Sequence, residues 1–94
     1  MSDRPIRIPI GVELDLHSFA PSDIQSVVAE YVEAAAAAGL GEVRLVHGRG
    51  RGVQRGIVQA ALERHPLVVE FSDDPAAHLG ATLARLATSA RSDL

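Results

Sequence analysis

Residues 47–52 read His-Gly-Arg-Gly-Arg-Gly, and this stretch contains the residue types best suited to binding an anion. It lies between an apolar run, residues 43–46, and a helical pattern that begins at Val53. Glycines have no Cβ, so a ligand can approach their backbone N–H groups closely. A helix that begins beside them adds unpaired N–H groups and the positive end of its dipole. Since arginine side chains match phosphate oxygens in shape and charge, the stretch predicts a phosphate-binding loop.

Local charge supports this prediction. The chain has a formal net charge of −3, yet four arginines and no acid lie between Glu42 and Glu63. Such a cationic patch on an acidic protein indicates a local binding site. The stretch matches neither a Walker A loop nor the dinucleotide fingerprint, and a glycine-rich turn with solvated arginines is the alternative interpretation. The residues predicted to bind the anion are Gly48, Arg49, Gly50, Arg51, Gly52 and Arg55.

An aspartate and two histidines form a second candidate group. Asp15 and His17 share one face of the first predicted strand, residues 12–17, because side chains alternate along a strand. A carboxylate beside an imidazole can fix its tautomer and favour its charged form. His47 follows the second predicted strand, so both imidazoles should lie at the carboxyl edge of the sheet, where open α/β sheets bind ligands. A solvated polar strand face is the alternative for Asp15 and His17.

Hydrophobic patterning predicts an α/β fold with the order βαβαββ. The predicted strands are residues 12–17, 43–46, 67–71 and 82–86. One helix begins with a capping box at Ser22 and Gln25 and ends at Gly39, and the other covers residues 53–65. Strands that alternate with helices pair in parallel through right-handed crossovers. The fourth strand has no helix before it, so we expect it to be antiparallel in a mixed four-stranded sheet.

Length and composition predict one small domain. Of the 94 residues, 1–11 read as an extended arm, 12–86 as the α/β domain and 87–94 as a flexible tail. The chain has no cysteine, no signal peptide pattern and no apolar run long enough to span a membrane. These features predict a cytoplasmic protein without a membrane partner. The oligomeric state stays open, with a monomer favoured.

Three short motifs resemble the Smr (small MutS-related) domain, in particular its stand-alone bacterial form. Residues 14–17 read Leu-Asp-Leu-His, residues 47–50 read His-Gly-Arg-Gly, and residues 80–86 read Gly-Ala-Thr-Leu-Ala-Arg-Leu. The resemblance implies a two-layer sandwich like the C-terminal domain of translation initiation factor 3, with the antiparallel strand inside the sheet. The chain departs from the family pattern at Ser18, where the family has glycine, and in an acidic loop at residues 73–79.

The resemblance also implies nucleic-acid binding and, as in several family members, nicking or endonuclease activity on structured RNA or DNA. Such an activity would serve DNA repair, recombination or RNA quality control. Matched to the family motifs, the catalytic residues are Asp15, His17 and His47. Two imidazoles suit acid–base cleavage of RNA, because they titrate near neutral pH.

Cleavage of DNA would require an activated water, and Mg²⁺ or Mn²⁺ could activate it. The ligand spacing in the sequence does not support a metal site, so we predict no cofactor. Two other readings stay open. One is a non-catalytic module that recognises branched or nicked nucleic acid, and the other is a nucleotide-binding or protein-interaction domain.

Overall fold

The computed structural model describes residues 12–48, 52–78 and 80–87. Within these ranges, four strands, two α-helices and one 3-10 helix follow one another. They are β1 (Glu13–Asp15), α1 (Pro21–Ala37), β2 (Glu42–Val46), α2 (Val53–Arg64), β3 (Val68–Asp73), the 3-10 helix (Pro75–Ala77) and β4 (Ala81–Leu86). The predicted βαβαββ order is confirmed. The predicted arm and all of the tail except Ala87 lie outside the described residues.

The four strands form one mixed sheet in the order β1-β2-β4-β3. β1 pairs with β2 in parallel, with Asp15 opposite Val46. β4 is antiparallel to both of its neighbours, and its first residue, Ala81, lies opposite Val46. The antiparallel strand is therefore inside the sheet, as the resemblance implied. As a result, the ends of β1 and β2 and the beginning of β4 all lie at one edge of the sheet.

Both helices pack against one face of the sheet and enclose an aliphatic core. Leu45 in β2 and Leu62 in α2 are fully buried in it. The apolar stripe predicted for α1 is confirmed, except that Val27 is only half-buried. The buried residues of α1 are Ile24, Val28, Tyr31, Val32, Ala35 and Ala36. The opposite face of the sheet is polar and includes the ion pair of Arg85 with Glu70.

Of the two predicted ends of α1, the N-terminal one is wrong and the C-terminal one is confirmed. The capping box at Ser22 is wrong, because the helix begins at Pro21 and Ala20 is its N-cap without a side-chain hydrogen bond. Proline fits the first helical position, since its φ angle is already helical and its missing N–H is not needed there. The predicted cap at Gly39 is confirmed by its φ of 87° and by the N–H of Leu40, which donates to Ala35 O at 3.0 Å.

Strand lengths also differ from the prediction. β1 ends at Asp15 instead of His17, because the Asp15 carboxylate accepts the backbone N–H of His17 at 3.0 Å and turns the chain. β3 continues to Asp73, beyond the predicted end at residue 71, because Asp73 pairs with Thr82 of β4. Both differences arise from hydrogen bonds that a hydrophobic pattern does not encode.

We expect the substitution Leu45→Ala to lower the free energy of unfolding by about 2–5 kcal/mol, since it leaves a cavity at a fully buried position. Val69→Ala removes methyl groups from a side chain that is 54% exposed and should cost less than about 1 kcal/mol. Urea unfolding of both variants measures the difference. Equal losses would contradict the placement of the core between β2 and the helices.

Candidate functional site

The candidate site lies at the sheet edge where β1 and β2 end. The N–H of Leu16 donates to Val46 O at 2.7 Å, so the two strands stay together to their last residues. The chain then turns away from β1, and the N–H of Phe19 donates to Leu16 O at 3.1 Å. On the other side, the side chain of Gln54 in α2 donates to Phe19 O at 3.3 Å. The turn after β1 is thereby held against the beginning of α2.

Asp15 and His17 form an exposed pair in this turn. The Nδ1 atom of His17 lies 2.7 Å from Asp15 Oδ1, and the two side chains are 71% and 55% exposed. The pKa of Asp15 is lowered, first by the hydrogen bond from the backbone N–H of His17 and then by the bond to its ring. Because Asp15 engages Nδ1, the ring has a fixed orientation and its Nε2 atom is accessible from solvent.

His47 has a different environment, since it is only 3% exposed. Its Nδ1 atom lies 3.0 Å from the carbonyl oxygen of Gly48, and its Nε2 atom lies 2.9 Å from Thr82 Oγ1. A carbonyl oxygen only accepts hydrogen bonds, so Nδ1 must be the protonated nitrogen. In the neutral ring, the other nitrogen then accepts the hydroxyl proton of Thr82. The sequence predicted two imidazoles that act together at one site, and the structure contains one exposed ring and one buried ring.

Two glycines of the loop adopt backbone conformations that other residues rarely reach. Gly48 has a φ of 84° and Gly52 a φ of 81°. The N–H groups of His47 and Gly48 both donate to Gly80 O, at 3.0 and 2.9 Å, so the beginning of the loop is attached to the residue before β4. The loop residues between the two glycines, Arg49, Gly50 and Arg51, lie outside the described residues.

The N-terminus of α2 suits an anion. Gly52 is the N-cap of this helix, and no side chain caps the helix among the described residues. The first N–H groups of α2 therefore keep their capacity to donate to a ligand, and the helix dipole favours negative charge there.

Arg55 forms a bidentate salt bridge with Asp73. Its Nε and Nη2 atoms donate to the two carboxylate oxygens, each at 2.7 Å. This bridge raises the pKa of Arg55 and lowers the pKa of Asp73, whose second hydrogen-bond donor is Gln59. The predicted contact of Arg55 with a phosphate stays a prediction, and a phosphate would have to compete with Asp73 for this guanidinium group.

Sequence reasoning did not assign Thr82, Gln59 and Asp73 to the site. Thr82 is fully buried and donates to His47, and Gln59 contacts both Thr82 and Asp73. One signal was available, because Thr82 alternates with Ala84 and Leu86 on the core-facing side of β4, where a polar residue requires a partner. The partners themselves are distant in the sequence.

Among residues 12–48, 52–78 and 80–87, no three histidine, aspartate or glutamate side chains converge closely enough to hold a metal ion. Dependence on Mg²⁺ or Mn²⁺ is therefore a question for the cleavage assay described below. No helix in these ranges is both long enough and apolar enough to cross a membrane.

The sequence profile of the Smr domain matches residues 14–86, which include the whole sheet edge and the glycine loop. The chain belongs to the Smr domain family. Over 64 residues, 68% of its length, it is 34% identical to the endonuclease MutS2 of Caldicellulosiruptor saccharolyticus. Over 63 residues, 67% of its length, it is 36% identical to the endonuclease MutS2 of Thermus thermophilus. Each of these matches covers 8% of the relative's length.

Solved structures agree with the Smr fold. The Smr domain of Thermus thermophilus MutS2 superposes with a TM-score of 0.75 at 34% identity, covering 79% of this chain and 95% of that domain. YdaL, a stand-alone small MutS-related protein from Escherichia coli, superposes with a TM-score of 0.73, covering 80% of this chain and 63% of YdaL. At 24% identity, the likeness to YdaL shows the fold alone.

The Asp73 carboxylate should stabilise the fold in a pH-dependent way. Because its folded pKa is lowered, its contribution is present above the unfolded pKa of about 4 and is lost as the pH falls through the folded value. Asp73→Asn should therefore unfold at lower urea concentration than wild type at about pH 7, and the difference should shrink by about pH 3. Glu63→Gln, at an exposed position of α2, is the control. A difference between Asp73→Asn and wild type that is unchanged at low pH would contradict the ionic role of Asp73.

Proposed function

We propose that this Smr domain binds nucleic acid at the sheet edge formed by the ends of β1 and β2 and the beginning of α2, and that it cleaves phosphodiester bonds there. The observation that carries the proposal is the exposed Asp15–His17 pair in the turn that Gln54 joins to the beginning of α2, where no described side chain caps the helix. Its MutS2 relatives are endonucleases by name, which supports this assignment. Structured RNA or DNA in the cytoplasm, in repair, recombination or RNA quality control, is the proposed context.

His17 is the group that we propose to move a proton. On RNA, its Nε2 atom would accept the proton of a 2′-hydroxyl while that oxygen attacks the phosphorus atom and the 5′-oxygen leaves. On DNA, the same nitrogen would deprotonate a water, whose oxygen would attack the phosphorus atom while the ester oxygen on the opposite side leaves and takes a proton from solvent. Asp15 would orient the ring and stabilise its charged form, since it engages Nδ1 at 2.7 Å.

His47 has a supporting role in this proposal. For His47 to transfer a proton, as the sequence predicted, its ring would first have to release Thr82 or Gly48. Its geometry suits a residue that holds Gly48 in place better than a partner of His17 in acid–base chemistry.

Phosphate binding is assigned to the loop and the helix that follows it. Gly52 and the first N–H groups of α2 would contact phosphate oxygens directly, whereas Gly48, whose N–H donates to Gly80 O, would let the ligand approach the beginning of the loop closely. Arg49 and Arg51 belong to the loop by sequence and would supply positive charge, together with Gly50, which allows close approach of the ligand. Each arginine that neutralises a phosphate should add to the salt dependence of binding.

A non-catalytic binding module is the second candidate. Two observations favour it: Ser18 stands where the family has glycine, and His47 already has hydrogen-bond partners at both ring nitrogens. A domain with one available imidazole can still recognise branched or nicked nucleic acid through its loop. The experiment below separates the two candidates.

Labelled RNA hairpins, DNA hairpins and nicked or branched duplexes are incubated with pure protein, with EDTA and with Mg²⁺ or Mn²⁺. We expect wild type to cut at least one substrate and His17→Ala to reduce the rate by about 10²–10⁴-fold. Asp15→Asn should reduce it less, because the imidazole remains. His78→Asn is the matched control, since it removes another exposed histidine and asparagine tolerates the left-handed backbone there.

Binding is measured on the same substrates as a function of salt. The double variant Arg49→Gln and Arg51→Gln should weaken binding and reduce the slope of log affinity against log salt by about 2. Arg85→Gln, on the open face of the sheet, is the control. Wild-type protein that binds these substrates but cuts none of them would support the non-catalytic binding module instead of the nuclease. Unchanged affinity in the double variant would show that nucleic acid binds at another surface of the domain.

A further inference from the structure

A continuous chain of hydrogen bonds runs from α2 through the core to the glycine loop. Arg55 donates to Asp73, and Gln59 donates to Asp73 Oδ1 and to Thr82 Oγ1, both at 3.0 Å. Thr82 Oγ1 lies 2.9 Å from His47 Nε2. The last bond joins His47 Nδ1 to the carbonyl oxygen of Gly48 at 3.0 Å. We refer to Asp73, Gln59, Thr82 and His47 as the relay.

The donor and the acceptor of each hydrogen bond can be assigned by starting from the Asp73 carboxylate. An ionised carboxylate only accepts hydrogen bonds, so Gln59 must direct its NH₂ group toward Asp73. The second proton of that NH₂ group points to Thr82 Oγ1. The Thr82 oxygen therefore accepts a bond from Gln59, and its single hydroxyl proton is left for His47 Nε2.

The hydrogen bond between His47 and Gly48, at the other end of the relay, leads independently to the same positions of the protons. The Gly48 carbonyl can only accept, so His47 carries its proton on Nδ1 and has an unprotonated Nε2. That nitrogen is the acceptor that the Thr82 hydroxyl needs. Every polar atom of the fully buried Thr82 side chain is thus satisfied in one arrangement of protons, and an unsatisfied group at this depth would be costly.

The relay also connects the two ends of the loop. Gly48 lies at the beginning of the glycine loop and Gly52 lies at its end. Gln59 and Arg55 are on α2, the helix that Gly52 caps. The relay therefore ties α2 to the end of β2 through Thr82 of β4. Because the residues at both ends of the loop are already held, binding a ligand there costs less conformational entropy.

We propose that Thr82, Gln59 and Asp73 are positioning residues of the nucleic-acid site, which hold the ring of His47 against the Gly48 carbonyl and thereby hold Gly48 in its left-handed conformation at the beginning of the loop. This inference rests on the proposed function, because it concerns the same loop. None of the three residues needs to contact the nucleic acid. Their effect passes through the ring of His47 and the backbone of Gly48.

The tautomer of His47 is the first readout. Imidazole ¹⁵N–¹H correlation spectra of the labelled protein are recorded at about pH 8, above the ordinary pKa of histidine. Wild type should show His47 with its proton on Nδ1, and Thr82→Ser should preserve this state. Thr82→Val and Gln59→Leu should weaken or broaden the Nδ1–H signal, since the ring is then held by the Gly48 carbonyl without a fixed donor at Nε2.

Affinity for a hairpin that wild type binds is the second readout. Thr82→Val and Gln59→Leu should weaken binding by about 3- to 10-fold through lost preorganisation, whereas Thr82→Ser should restore it to within about twofold of wild type. Gln25→Leu, the same change at an exposed position of α1, should leave both readouts unchanged. Circular dichroism at the assay temperature confirms that each variant is folded.

Three results would count against the inference. A wild-type spectrum with the His47 proton on Nε2 overturns it without any variant. A weakened Nδ1–H signal in folded Gln59→Leu or Thr82→Val with unchanged affinity shows that the relay does not position the loop. A wild type that binds no nucleic acid overturns the proposed function itself, and that failure is recognised before any variant is compared.

Discussion

The hydrogen bond between the buried ring of His47 and the hydroxyl of Thr82 determines how this site is arranged. It joins the end of β2 to the beginning of β4 in a region without solvent, where both groups require partners. The bond is available because β4 is inserted antiparallel between β2 and β3, which places Thr82 beside the end of β2. The strand order of the Smr domain therefore determines which hydrogen-bond partner the buried ring of His47 has.

The bond between His47 and Thr82 gives the two histidines of the site different environments. His47 is committed to Thr82 and Gly48, and it supports the loop from the protein interior. His17 lies in the turn after β1, where Asp15 orients it and solvent reaches it. In the proposed function, chemistry at the sheet edge would depend on the accessible imidazole of His17, whereas recognition of phosphate would depend on the loop. This division explains how binding and cleavage could be separated in a domain of this size.

Much of the fold was predictable because its signals are local. The βαβαββ order, the apolar stripe of α1 and the cap at Gly39 all follow from periodicity and glycine chemistry within a few residues. The errors at β1 and β3 occurred where a hydrogen bond overrides the pattern. Asp15 ends β1 by binding the N–H of His17, and pairing with β4 extends β3 to Asp73.

The candidate site was predictable only in its exposed parts. Asp15, His17 and the glycines carry recognisable motifs, and parallel pairing brings their strands to one edge. The partners beneath them were not predictable, because Thr82 is 35 residues from His47 and Asp73 is 18 residues from Arg55. Neither the alternation of side chains along a strand nor the spacing of motifs specifies such pairs. The pairs depend on the order of the strands in the sheet.

The central claim is that nucleic acid binds at the edge formed by the ends of β1 and β2 and the beginning of α2. Titration of ¹⁵N-labelled protein with a short hairpin, followed through backbone amide shifts, tests this most directly. The account predicts the largest changes at His17, Gly48 and Gly52, with little change at Glu70 and Arg85 on the open sheet face. Changes centred on that open face, with the amides of the glycine loop unaffected, would contradict it.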